Sequence, residues 1–249
     1  MQNEIARLSR EWETLGRVDP RFAVLVDNDK RGGGWDDASF FRTGQNVVDA
    51  TLDFVRSVGA SPVRNDRALD FGCGVGRLSR ALAEHFHRVD GVDIAGSMVA
   101  EAEAGNPAKD RIAFHVNAES DLRLFESDTF DLVFSFITLQ HIPPRLALSY
   151  IREFVRVAAP GGTVVFQAPY RVNHPGWKYY VDVALPGLAA AYRGLRYGAA
   201  THTELNTLDA ADVTQALTEA GAVIMRVEAG RPNDCPGWLS ALYVARVPA

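Results

Sequence analysis

The sequence predicts an α/β fold in which a parallel sheet is covered by helices on both faces. Three observations predict it. From residue 67 onward, short apolar runs alternate with helical stretches, the rhythm of strand–helix–strand units. Alternating glycines, Gly72, Gly74 and Gly76, sit between the first such run and its helix. The 249 residues are 47% hydrophobic and 23% charged, which is ordinary globular composition and enough to bury a full core. The length suits one α/β domain with insertions or two small domains.

Residues 1–60 read as a helical extension ahead of a main domain over 61–249. Within 4–15, Ile5, Leu8, Trp12 and Leu15 recur at helical spacing. A polar, glycine-rich break covers 27–37. A second helix is predicted over 37–58, with Phe40, Phe41, Val47, Val48, Leu52 and Val55 in period and Gly59 and Pro62 as stops. RALDF reads as a strand and RLSRALAEHF as a helix. RVDGVD is a strand, SMVAEAEA a helix, and RIAFHV a strand followed by a loop and a short helix. FDLVFSF is a strand and RLALSYIREFVRV a helix; Gly161 and Gly162 then turn into the strand TVVFQAP. Residues 170–205, rich in aromatic and small residues, interrupt the rhythm and read as an inserted cap. DAADVTQALTEAGA is a helix with Asp209 as N-cap and Gly221 as stop. VIMRVEA and WLSALYVARV read as two closing strands.

The formal charge of −5 offers no general attraction to phosphate backbones, so nucleic acid is not an expected partner. No apolar run approaches the roughly 18 residues of a membrane span, and the charged, amphipathic start lacks the apolar stretch of a secretory signal. Two cysteines, Cys73 and Cys235, make no disulfide framework and no metal-ligand spacing. These features point to a reduced, cytoplasmic setting.

LDFGCGVGRLSRAL carries the strongest chemical signal. Glycine permits positive φ and close approach of a ligand to the backbone, and a helix start offers unpaired N–H groups. A dinucleotide site wants G-x-G-x-x-G/A, but the last position is Arg77 or Ser79, depending on the starting glycine. A P-loop wants a lysine after the glycines, and none follows. The plain alternative is a tight strand-to-helix turn. Asp93 ends the second strand, where a carboxylate can accept hydrogen bonds from both ribose hydroxyls of an adenosine group; the plain alternative there is a helix N-cap.

Asp70 to Gly76 (D-x-G-x-G-x-G), the GVDIAGSM segment and FDLVFSFITLQHIPP together resemble the class I S-adenosylmethionine-dependent methyltransferases. The resemblance covers about residues 67–169. It implies a Rossmann-like, seven-stranded sheet whose last strand runs antiparallel, with S-adenosyl-L-methionine as cofactor and S-adenosyl-L-homocysteine as product. Asp70 and the loop Gly72, Cys73, Gly74 and Gly76 would face the methionine part. Asp93 would hold the ribose, with Ile94 and Met98 against adenine; core packing is the other reading of Met98. Family members often carry an aspartate after the third strand, where this chain has Asn117, flanked by Ala118 and Glu119. Phe136 and Gln140 fall beside the cofactor in the same correspondence, and Gln140 contacts either it or loop backbone. Segments 19–25, 33–44 and 237–243 further resemble a bacterial group of small-molecule and sugar methyltransferases. Trp35 and Phe41 would then close over the pocket, or anchor their helix to the core.

Methyl transfer needs a nucleophile aligned with a sulfonium methyl and, for a hydroxyl, removal of its proton. His141 follows the fourth strand and is the candidate base; a loop-fixing hydrogen bond is the competing role. Tyr170, Arg171, His174 and His202 (with Glu204) are candidates to meet the acceptor, should the cap fold over the edge. Arg171, Lys178, Arg193 and Arg196 against Asp182 give the cap a positive bias. It suits either a substrate anion or solvent; the aromatic stretch also allows a membrane-surface or homodimer contact. His85 and His87 end a helix and suggest no chemistry, and no histidine spacing suggests a metal. The expected activity is methylation of a small acceptor, most simply a hydroxyl of a sugar, glycolipid or secondary metabolite. The rivals are N-methylation of a small amine, a non-catalytic cofactor-binding protein and a dinucleotide oxidoreductase.

Overall fold

A computed structural model of the chain describes residues 2–172, 205–232 and 238–249. The expected cap, including His174, His202 and Glu204, lies outside the described residues apart from its ends, as does Cys235. Three helices come first: α1 (Gln2–Val18), α2 (Pro20–Val24) and α3 (Asp37–Ser57). Then follow β1 (Arg67–Phe71), α4 (Arg77–Leu82), β2 (Arg88–Asp93), α5 (Gly96–Ala104), β3 (Ile112–Val116), β4 (Phe130–Ser135), α6 (Pro144–Val157) and β5 (Ala158–Val172). The chain closes with α7 (Ala210–Glu219), β6 (Val223–Pro232) and β7 (Trp238–Arg246). No helix among the described residues is long and apolar enough to cross a membrane.

The seven strands form one sheet in the order β3-β2-β1-β4-β5-β7-β6. The last strand, β7, runs antiparallel to both of its neighbours, β5 and β6, as the resemblance implied. Strand order reverses between β1 and β4, which opens a crevice beyond their carboxyl ends. The period-two alternation of the strands divides the core. Leu69 and Phe71 face α6 and α7, where Tyr150, Phe154, Phe166 and Tyr243 pack. Ala68, Leu132, Phe134 and Val165 face α3 and α4, with Val48, Leu52 and Leu82. Each fully buried side chain of this size contributes roughly 1.5–3 kcal/mol.

A third cluster joins the N-terminal helices to the sheet edge. Phe40, Val75, Ala95 and Met98 are its centre, with Trp12, Val24 and Trp35 against it. Helix α5 lacks a side-chain cap of its own. Glu13 of α1 supplies one, its Oε2 accepting from the Ser97 amide at 2.9 Å, while the Ser97 hydroxyl donates to the Glu13 carbonyl at 3.1 Å. Asp36 caps α3 by accepting from Ser39.

Four local expectations change. Helix α4 ends at Leu82 rather than continuing to 86, because the Arg111 guanidinium draws off the carbonyls of Ala83 and Phe86. Residues 117–129 form turns and no helix. Their backbone is tied to α6 instead: Glu153 accepts from the Leu122 amide, and Arg156 donates to the carbonyls of Leu122 and Phe125. The glycine pair 161–162 lies within β5, in an excursion where Ala158 pairs with Phe130 and Thr163 with Leu132. The short helix α2 precedes the break at 27–37, which itself holds a 3-10 turn at Asn28–Lys30.

Candidate functional site

The loops after β1, β2 and β4 meet at the carboxyl edge of the sheet. Gly72 and Cys73 donate their amides to the Val92 carbonyl at 2.8 and 3.1 Å. The Asp93 carboxylate then bridges two loops, one oxygen accepting from Gly74 at 2.9 Å and the other from Ala95 at 2.9 Å. Burial raises the Asp93 carboxyl above its usual range, and these amides pull the other way. Each carboxylate oxygen keeps a further lone pair for a ligand.

Gly72 and Gly74 are required by both conformation and space. Their φ angles are +77° and +52°, a region costly for residues with a Cβ. A Cβ on Gly72 would stand 2.2 Å from a Thr138 methyl, and one on Gly74 2.5 Å from a Val24 methyl. The loop is therefore clasped by the β4 loop on one side and by α2 on the other.

Between these loops lies an open cavity whose empty space, its mouth included, is about 950 Å³. Of the residues anticipated from sequence, Gly72, Cys73, Gly74, Asp93, Ile94, Met98, Asn117, Phe136 and His141 all line it. Asn117 is fixed by its amide bond to the Asp93 carbonyl and by its side chain donating to the Asp121 carbonyl. Burial pushes the Cys73 thiol up, which keeps it a small neutral wall element.

Other anticipated residues stand elsewhere. Asp70 lies behind the loop, wholly buried, accepting from the Ser79 hydroxyl at 2.6 Å. Burial raises its carboxyl to about 6. Gly76 caps α4, and its Cβ position faces Phe114. Ala118 and Glu119 are exposed; the Glu119 carbonyl receives the Tyr150 hydroxyl. Gln140 is buried beside His141. Trp35 packs on Phe40 and donates to the Leu25 carbonyl, while Phe41 lies under Arg80, 3.5 Å from its guanidinium carbon. Neither aromatic lines the cavity. Tyr170 packs half-buried on the core and Arg171 is exposed on β5. Among the described residues, no group of three or more His, Cys, Asp or Glu is arranged to hold a metal ion.

Sequence reasoning missed part of the wall. Leu8 and Trp12 of α1, Ala23 and Val24 of α2, and Leu146 and Tyr150 of α6 all reach the cavity. The Trp12 ring meets His141 edge-on, with centroids 5.0 Å apart. Thr138 and Arg77 complete the rim beside the glycines, and Arg77 donates to the Thr43 hydroxyl at 3.2 Å. The helical period marked Leu8 and Trp12 as inward-facing, but nothing in the sequence said what lay beneath them.

Residues 68–162 match the family model described as "Methyltransferase domain". Among curated proteins, trans-aconitate 2-methyltransferase of Streptomyces avermitilis is 29% identical over 156 residues, covering 60% of this chain and 56% of that one. A ubiquinone biosynthesis O-methyltransferase of Ralstonia nicotianae is 28% identical over 138 residues, covering 55% and 56%. The match thus spans about half the length of these relatives. Among solved structures, magnesium protoporphyrin IX methyltransferase from Synechocystis PCC 6803, with bound SAH, aligns over 98% of this chain and 99% of that one. The TM-score is 0.65 at 21% identity, a likeness of fold.

Proposed function

We propose that this chain, whose residues 68–162 belong to the methyltransferase-domain family, binds S-adenosyl-L-methionine and transfers its methyl group to a small acceptor. The observation that carries this reading is Asp93. It is a carboxylate at the tip of β2, on the wall of a cavity floored by positive-φ glycines. The donor set fits the cofactor. Asp93 offers acceptors for two ribose hydroxyls, and Ile94, Met98 and Phe136 offer an apolar slot for a flat base. Gly72 and Gly74 let the amino-acid portion approach the backbone. The bound cofactor supplies a methyl group already activated by its sulfonium charge.

The protein's share of the chemistry is then alignment and exclusion of water. Correct placement of two reactants is worth on the order of 7–11 kcal/mol in favourable cases. Trp12, Val24 and Ile142 dry the walls, and His141, on the loop after β4, meets the acceptor. The acceptor in this reading is a small molecule offering an oxygen. The narrower reading of a sugar, glycolipid or secondary-metabolite hydroxyl rests on the sequence alone.

Calorimetry tests the proposal. S-adenosylhomocysteine should bind and NAD should not. Asp93→Ala should weaken S-adenosylhomocysteine by about 10- to 150-fold, the equivalent of losing hydrogen bonds to a charged group worth roughly 1.5–3 kcal/mol. Undiminished affinity in the variant, or preference for NAD, would overturn the assignment.

A further inference from the structure

His141 can act as a base only if one of its ring nitrogens has a lone pair to spare. The residue before it bears on that. Gln140 is 2% exposed, and its side-chain Nε2 lies 3.1 Å from Nε2 of His141. An amide nitrogen carries two hydrogens and no acceptor capacity. It can only donate, so the imidazole nitrogen facing it must accept. A neutral imidazole has a single lone-pair nitrogen, and the ring proton must therefore sit on Nδ1. We infer that Gln140 is a positioning residue that holds His141 in its Nδ1–H form, which makes the ring a hydrogen-bond donor and not a general base. This inference rests on the proposed reading of the cavity.

The local backbone keeps the pair in register. Gln140 and His141 share the 3-10 turn Leu139–His141. The His141 amide donates to the Thr138 carbonyl at 3.0 Å, and the Gln140 carbonyl accepts from the Asn206 amide at 2.7 Å. Trp12 closes on the imidazole edge-on. To take a proton from an acceptor at Nε2, His141 would first have to give up its bond to the buried Gln140 amide. A ring held in this way serves an acceptor whose nucleophilic oxygen is already ionised, as a carboxylate is at neutral pH. For a neutral alcohol it would be the wrong partner.

Long-range ¹H–¹⁵N correlation on ¹⁵N-histidine-labelled protein reads the tautomer directly, with His141→Asn assigning the signal among the six histidines. The expected spectrum shows Nδ1 protonated and Nε2 as the lone-pair nitrogen. In Gln140→Glu the carboxylate can only accept, so the proton should move to Nε2. A wild-type spectrum with the proton on Nε2, which the amide turned the other way would require, overturns the inference. So does a folded Gln140→Glu variant whose His141 signature matches wild type. Should the glutamate variant not fold, the wild-type spectrum alone decides. S-adenosylhomocysteine titrated into the same wild-type sample tests the cofactor reading separately. Failure to bind defeats that reading whatever the tautomer.

Discussion

Asp70 is the most heavily loaded single residue near the site. Its carboxyl is wholly buried, and that burial, opposed by the Ser79 hydroxyl and the Arg77 charge, lifts it to about 6. An acid whose folded value exceeds its unfolded value of about 3.9 binds more protons folded than unfolded between the two. Stability therefore falls as pH rises from about 4 to about 6, by up to about 3 kcal/mol, and stays lower above that window. Asp70→Asn keeps an oxygen for Ser79 and removes the ionisation. Urea unfolding at pH 4 and pH 7 should show the variant gaining on wild type by a few kcal/mol between the two conditions; an unchanged gap would mean the carboxyl titrates normally. Asp93 and the glycine loop were legible in sequence because both adjoin strand ends, where position along the chain fixes position at the edge. Trp12, Thr138 and Tyr150 were not, because each reaches the cavity through packing between elements distant in sequence. For Trp35 and Phe41 the sequence left two roles open, closing over the pocket or anchoring to the core, and both pack against the Phe40 cluster. Trp35 stands just ahead of α3 and Phe41 in its first turns, and their rings turn to Phe40 and Arg80.

At the level of elements, the joint between α1 and α5 has the clearest consequence. Helix α5 begins without a capping side chain of its own, and Glu13, more than eighty residues earlier, closes its first turn. The Ser97 amide is the main reason the Glu13 carboxyl lies below the ordinary glutamate range. A lowered acid contributes stability above its unfolded value and loses it as pH falls through the folded one. Glu13→Ala should cost about 0.5–2 kcal/mol at neutral pH, as for other capping losses, and the deficit should shrink in acid. Chemical denaturation at both pH values checks it, and a deficit that persists in acid would assign the loss to packing instead. The long helices α1, α3 and α6 were readable because an amphipathic period repeats over several turns. Helix α4 and the 117–129 turns were misread because Arg111, Glu153 and Arg156 satisfy backbone groups from other elements, which no local pattern displays.

For the whole molecule, the helix-covered parallel sheet follows from the strand–helix rhythm, and the crevice lies where the strand order reverses. What the rhythm left open is how the N-terminal helices relate to the crevice. Leu8, Trp12, Ala23 and Val24 stand on its wall, and Val24 touches the glycine loop itself. A ligand filling the cavity would then hold two layers together: the loops of the sheet edge and the helices laid across them. S-adenosylhomocysteine at a hundred times its dissociation constant should stabilise the fold by about 2.7 kcal/mol. For a domain of this size that corresponds to a rise in Tm of about 5–11 °C. Hydrogen exchange distinguishes where the stabilisation acts. Amides of residues 8–24 should slow together with those of 72–76 and 93–98. If slowing stops at the glycine loop and the tip of β2 while α1 and α2 exchange as before, the N-terminal helices are neighbours of the site and no part of it. The acceptor would then have to be sought against the sheet edge alone.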